Sequence, residues 1–112
     1  MPESFGQRVR RVREAKKLGL REAAAKLKIS PAYLSRIERG DEKTPPAEDV
    51  IRAIAELCDD SFDELMHLAG RLPSDVKEYL KEPGLPQFLR TAQQRGYTAR
   101  DLESLLKDKD KK

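Results

Sequence analysis

LREAAAKLKISPAYLSRIER, the run from Leu20 to Arg39, decides how this chain folds. Apolar or small residues fall at Ala23, Ala24, Leu27, Ile29, Leu34 and Ile37. That spacing puts one buried stripe on each of two short helices, provided a turn near Lys28 interrupts the helical phase. Ser30 is placed to cap the second of them. Pro31 fits its first turn, because an N–H there would have no intrahelical partner anyway. The positions left over are small, polar or basic, so the second helix is expected to keep one face open.

Upstream, Ser4 and Gln7 have capping-box spacing, and a first helix is expected from Ser4 to about Lys17. Phe5, Val9, Val12 and Ala15 mark its inner face, while Arg8, Arg10, Arg11 and Arg13 crowd the rest, most of them solvated or near phosphates. Gly19 is read as the stop of that helix and a flexible entry to the second, and Gly40 as the stop of the third. Asp41 to Pro46, DEKTPP, is a loop by composition. A fourth helix then starts at Pro46 or Ala47, presents Val50, Ile51, Ile54 and Leu57, and ends at Asp59 and Asp60. Ser61 and Glu64 repeat the capping-box spacing before a fifth helix, which carries Phe62, Leu65, Met66 and Leu68 and stops at Gly70.

Beyond Arg71 the helical pieces shorten, broken by Pro73, Pro83, Gly84 and Pro86. Ser74 caps a piece with Val76, Tyr79 and Leu80; Pro86 opens one with Phe88, Leu89 and Ala92; Thr98 and Asp101 cap a last one with Leu102, Leu105 and Leu106. These pieces are too small for a core of their own and are expected to pack on the first five helices or on a second subunit. The resulting division is residues 1–70 for the five-helix unit, 71–107 for a helical extension and 108–112 for a disordered tail.

At 112 residues the chain has one domain's worth of sequence, short enough to be a candidate for completing its core with a partner subunit. Charged residues make up 38% and aromatics 5%, which favours a well-solvated all-α protein over an all-β one. No run approaches a membrane span and the N-terminus lacks a signal peptide's apolar core, so the expected location is the cytoplasm. The charge is divided along the chain: residues 1–40 carry 11 Lys/Arg against 4 Asp/Glu, and residues 41–70 carry 2 against 9. A basic field on the helical pair points to a polyanionic partner.

Catalysis finds little support. His67 is the only histidine and Cys58 the only cysteine, and no glycine-rich phosphate loop or paired catalytic carboxylates stand out, so neither an enzyme nor a metal or cofactor site is expected. His67 is read as a surface or packed residue. Cys58 is read as a buried structural thiol, with a redox switch or intermolecular disulfide as the alternative.

Leu20 to Gly40, with Arg13 before it and two helices after it, resembles the Cro/CI-like helix-turn-helix regulators, the XRE family, over residues 5–70. The features that carry the resemblance are small Ala24 at the helix contact, Leu27, Ile29, Leu34 and Ile37 at the packing positions, and the closing run YLSRIERG. It implies a five-helix lambda-repressor-like domain with a short helical C-terminal extension. In that family the third helix enters the major groove of double-stranded DNA and the second crosses the backbone. Carried over, Ser30, Pro31, Ala32, Ser35 and Arg36 face the bases. Pro31 and Ala32 offer only van der Waals contact, so hydrogen-bonded readout falls to Ser35 and Arg36. Arg36 suits guanine N7 and O6, with a phosphate contact or a free surface position as the alternative. Arg21, Lys28, Tyr33, Arg39 and Lys43 are phosphate candidates, helix packing being the alternative for Tyr33. The resemblance also implies a structural ion pair between Arg13 and Glu38 that sets the angle of the third helix.

Two positions depart from the family pattern. Leu20 stands where glutamine often contacts the backbone, and Lys28 stands where glycine often supplies a positive φ. A left-handed lysine costs about 1–2 kcal/mol, so the turn is expected to be either distorted or strained. The implied function is a sequence-specific DNA-binding transcriptional regulator, a dimeric repressor reading an inverted repeat and associated with the nucleoid when bound. Antitoxin-type autorepressors share the fold, and a protein-interaction module with a vestigial DNA face is the competing class. Family habit suggests a homodimer, and an antirepressor, protease or toxin as protein partner through the C-terminal helices; packing of those helices on their own subunit is the alternative.

Overall fold

Among the described residues, six of eight helices end the same way: a residue in the left-handed region reverses the chain, and the next N–H reaches back to a carbonyl five residues earlier. A computed structural model describes residues 2–111. Its helices are α1 (Phe5–Ala15), α2 (Leu20–Leu27), α3 (Pro31–Arg39), α4 (Glu48–Cys58), α5 (Phe62–Leu68), α6 (Ser74–Tyr79), α7 (Leu85–Gln94) and α8 (Ala99–Asp110). The architecture is all-α, with no strand among the described residues. No described helix is long and apolar enough to cross a membrane.

The chain divides into two units, one up to Pro73 and one from Ser74 onward. The first holds α1–α5 around one apolar core, in which Val9, Val12, Ala23, Ala24, Leu27, Leu34, Ile51, Ile54, Ala55, Cys58, Leu65 and Met66 are buried together. Ala24 is fully buried, so its single methyl group lets other helices approach α2 closely. Ile37 is buried as well, and Ile29 is half-buried against the core. Cys58 is buried in this core, and burial pushes its thiol above the ordinary pKa.

The ends of the helices explain their order in sequence. Ser4 and Gln7 form a reciprocal capping box at α1, and Ser30 Oγ accepts the Tyr33 N–H at 3.0 Å to start α3. The stop of α1 is Lys17 at φ 58°, rather than Gly19, which lies at φ −70° and serves as the N-cap of α2. The N–H of Leu18 donates to Arg13 O at 3.2 Å across that turn, a bond that fixes the reversal before glycine is reached. Ala15, expected inside, is exposed. Lys28 takes φ 60° and ψ 38°, so the turn between α2 and α3 is undistorted and lysine bears the strain that glycine would avoid.

Gly6 is a contact that the periodicity did not single out. A Cβ there would meet the Ile37 carbonyl oxygen and lie 2.6 Å from that of Glu38. Only glycine lets α1 lie this close on the backbone of α3.

Arg8, read with Arg10 and Arg11 among solvated or phosphate-facing cations, is largely covered instead. Arg8 donates from Nε and Nη2 to Asp60 at 2.9 and 2.8 Å, and from Nη2 to Glu64 at 2.7 Å, tying α1 to the start of α5.

In the second unit Ala92 is the one buried hydrophobe among the described residues, while Tyr79, Phe88, Tyr97, Leu105 and Leu106 are exposed. Thr98 and Asp101 form a reciprocal capping box at α8. That helix continues to Asp110, so residues 108–110, expected to be disordered, are helical; Lys112 lies outside the described residues. Lys107 and Lys109 sit at the negative end of the helix dipole, which favours the extra turn.

The guanidinium of Arg8 holds the Asp60 carboxyl below its ordinary pKa. That contribution to stability is complete above the unfolded carboxylate's value of about 4 and is lost as pH falls through the lower folded value. Asp60→Asn should therefore be less stable than the wild type by about 1–3 kcal/mol at neutral pH, and urea denaturation should show the gap closing below about pH 4.

Candidate nucleic-acid interface

Helix α3 buries Leu34 and Ile37 and turns the opposite side outward. Ala32, Ser35, Arg36 and Arg39 recur at the three- and four-residue intervals of one helix face. Pro31 and Ala32 are exposed in the first turn and carry no side-chain hydrogen-bonding group. Ser30 is exposed too, but its Oγ already accepts the capping N–H. Ser35 is half-buried, and its Oγ accepts from Arg39 Nη1 at 2.6 Å.

Both arginines on this face are met by acids from the following loop. Arg36 donates from Nε to Glu42 Oε1 at 2.6 Å, and its guanidinium carbon lies 5.8 Å from the centre of the half-buried Tyr33 ring. Arg39 donates from Nε to Asp41 Oδ2 at 2.9 Å. Sequence reading treated Asp41 and Glu42 only as loop composition. The signal available was Gly40: a left-handed residue at a helix end turns the chain back along the helix, so acids just beyond it return towards the last turns.

Other cations near α3 have no ion pair among the described residues. Arg21 is exposed at the start of α2, Lys28 on the turn before α3, and Lys43 on the loop after it. Lys17 and Lys26 are exposed and likewise unpaired. These exposed cations are free to meet phosphates, while Arg36 and Arg39 on α3 itself have acidic partners. No described group of His, Cys, Asp or Glu is placed to hold a metal ion.

Arg13 fixes the position of this face. Its Nε and Nη2 donate to Glu38 at 2.7 and 2.9 Å, a two-pronged pair, and Nη1 donates to Leu18 O at 2.8 Å. The side chains of Arg13 and Glu38 are 11% and 6% exposed. One guanidinium thus joins α1, the turn after it and the C-terminal half of α3. A planar fork matched to a carboxylate has little freedom to swing, so it sets angle as well as distance.

Comparison with known proteins agrees with this geometry. A family model described as a helix-turn-helix domain matches residues 4–68. An uncharacterised HTH-type transcriptional regulator of Bacillus subtilis, RghRB, is 36% identical over 78 residues, covering 66% of this chain and 55% of its own length. The HTH-type transcriptional repressor RghR of the same organism is 39% identical over 69 residues, covering 61% of this chain and 50% of its own. The chain thus spans about half the length of the curated relatives it matches. Among solved structures, the biofilm master regulator SinR of B. subtilis in complex with DNA superposes with a TM-score of 0.51 at 31% identity, covering 55% of this chain and 97% of that one.

The buried pair yields a direct expectation. Glu38→Ala strands the Arg13 charge and should cost about 3–5 kcal/mol, a large drop in melting temperature that calorimetry would register. An unchanged melting temperature would remove the pair from any structural role.

Proposed function

This chain belongs to the Cro/CI-like helix-turn-helix family, and from that premise we propose that it is a sequence-specific transcriptional regulator, a dimeric repressor that reads an inverted-repeat operator with α3. The observation that carries the reading is the outward face of α3, held by the Arg13 pair and flanked by unpaired cations. SinR, a relative in fold and sequence, was solved on DNA, and RghR is a repressor.

On this reading α3 lies in the major groove. Arg36 and Ser35 supply the polar contacts to bases, while Pro31 and Ala32 pack against base edges such as a thymine methyl, with Ser30 at the groove wall. Arg21, Lys28, Tyr33, Arg39 and Lys43 hold phosphates and set the register. The exposed apolar residues of α6–α8 support assignment of residues 71–107 to dimerisation, which would bring two copies of α3 to half-sites about 34 Å apart. The protein would then act in the cytoplasm, on the nucleoid.

Selection of binders from a random duplex library, followed by affinity measurements at several salt concentrations, tests the proposal. An enriched inverted repeat with half-sites one helical turn apart is expected. Arg36→Ala should relax preference at one base pair per half-site, costing about 1–3 kcal/mol there. Arg21→Ala should weaken all sequences alike and lower the slope of log affinity against log salt by about 1. No enrichment, with residual binding abolished by salt, would overturn the proposal in favour of a protein-interaction module.

Lys28 separates folding from binding. Lys28→Gly relieves a left-handed side chain and should raise stability by about 1 kcal/mol, while the lost phosphate contact weakens DNA binding. Thermal melts and binding isotherms on the same variant should therefore move in opposite directions.

A further inference from the structure

We propose that Glu42 is a positioning residue for sequence readout: it grips Arg36 at Nε so that the two terminal nitrogens are presented together to a guanine. This rests on the DNA-reading role of α3 given above and deepens it by naming what sets the specificity of that site.

The donor inventory of Arg36 is the first argument. A guanidinium has five N–H groups, and the major-groove edge of guanine has two acceptors, N7 and O6, that take two of them at once. Two pairs of donors can do this, one from Nε with a terminal nitrogen and one from both terminal nitrogens. Glu42 Oε1 occupies Nε at 2.6 Å, while neither terminal nitrogen has a hydrogen-bond partner among the described residues. The side-on mode is closed and the end-on mode is open. Tyr33, 5.8 Å from the guanidinium carbon, supports the side chain from below.

The second argument is that Glu42 is itself held. Gly40 at φ 75° reverses the chain, and the N–H of Asp41 donates to Arg36 O at 2.9 Å, so the loop starts by bonding to the residue that Glu42 grips. Farther along, Arg71 Nη2 donates to Pro45 O at 3.0 Å, and Pro46 is buried. The loop is anchored on both sides of Glu42. Accordingly the Glu42 side chain is 28% exposed, against 45% for Arg36.

Arg39 provides the contrast. Asp41 takes its Nε and Ser35 takes its Nη1, so donors from both parts of its fork are already spent. It is left suited to a phosphate oxygen, which accepts from any direction, and unsuited to an end-on grip on a base. A carboxylate this near the DNA also repels phosphates. Glu42 should therefore lower affinity for every sequence while raising the difference between the right base pair and the wrong ones.

The test uses the full chain and the duplex selected by the wild type. The base pair read by Arg36 is identified as the one whose replacement weakens the wild type but not Arg36→Ala. Glu42→Ala is expected to lose about tenfold in discrimination at that base pair only, with affinity for unrelated duplex unchanged or raised. Adding Glu42→Ala to Arg36→Ala should change discrimination no further. Glu42→Gln, which keeps an acceptor oxygen, should retain part of the preference and serves as the readout if the alanine variant folds poorly. Unaltered discrimination in both variants, or an equal loss of affinity on all sequences, would overturn the positioning role. A wild type that enriches no sequence would overturn the DNA-reading role first and this one with it.

Discussion

The Arg13–Glu38 pair is the constraint on which the open face of α3 depends. Two hydrogen bonds to one carboxylate and a third to the Leu18 carbonyl leave the guanidinium one arrangement, and nearly all of it is withdrawn from water. Desolvating two charges is expensive, and an apolar pair of equal volume could stabilise the fold as well or better. What an apolar pair would not supply is direction. Gly6, seven residues earlier on α1, lies against the backbone of Ile37 and Glu38, so α1 touches the end of α3 at two points two turns apart. Close approach at one point and a planar fork at the other resist rotation of α3 about its own axis. For a helix whose outward residues must match a groove, that rotation is the costly error.

Charge told a different story in three dimensions from the one it told along the chain. Residues 1–40 are strongly basic and residues 41–70 strongly acidic, a division read as a field for a polyanion. The fold sends much of the acid back onto the base: Asp60 and Glu64 onto Arg8, Glu42 onto Arg36, Asp41 onto Arg39. Asp60 is largely buried with its partner and belongs to the architecture. The Arg39–Asp41 pair is exposed on both sides, adds little to stability and is open to exchange for DNA groups, whereas Glu42 is the more covered partner of Arg36. The cations left unpaired, Arg21, Lys28 and Lys43 among them, had no more distinction in sequence than those that were used up.

What could be read from sequence followed the range of the interaction that caused it. Capping residues Ser4, Ser30, Ser61 and Thr98 act within three residues, and each helix start follows them. Buried stripes need one helical period, and Ala23, Ala24, Leu27, Leu34 and Ile37 were visible on that basis. Gly6 was not, because its significance lies in the backbone of residues 37 and 38, and spacing within one helix carries no trace of that. Arg8 looked like its neighbours Arg10 and Arg11 for the same reason: its partners are 52 and 56 residues away. The stop of α1 fell on Lys17 before Gly19 because a lysine can take a left-handed conformation when the turn's own hydrogen bonds repay it, which composition does not reveal. Within the candidate site, the acids on the loop were missed although the left-handed Gly40 is what returns them to the helix.

The face of α3 also sets a requirement on the proposed function. Of the residues proposed to face bases, Pro31 and Ala32 cannot donate or accept through their side chains, Ser30 is spent on the cap, and Ser35 already accepts from Arg39. On the proposed function, most directional readout by one copy therefore comes down to Arg36. A good bidentate pair contributes about 1–3 kcal/mol of discrimination, roughly five- to 150-fold, whereas specific regulators exceed their own non-specific binding by about 10³ to 10⁷. One copy falls short by this arithmetic. Two copies on a two-fold site double the free energy of discrimination without adding a residue, and the shape of the DNA between the half-sites adds more. A recognition helix this sparse has reason to be used in pairs, and its one arginine has reason to be held in place.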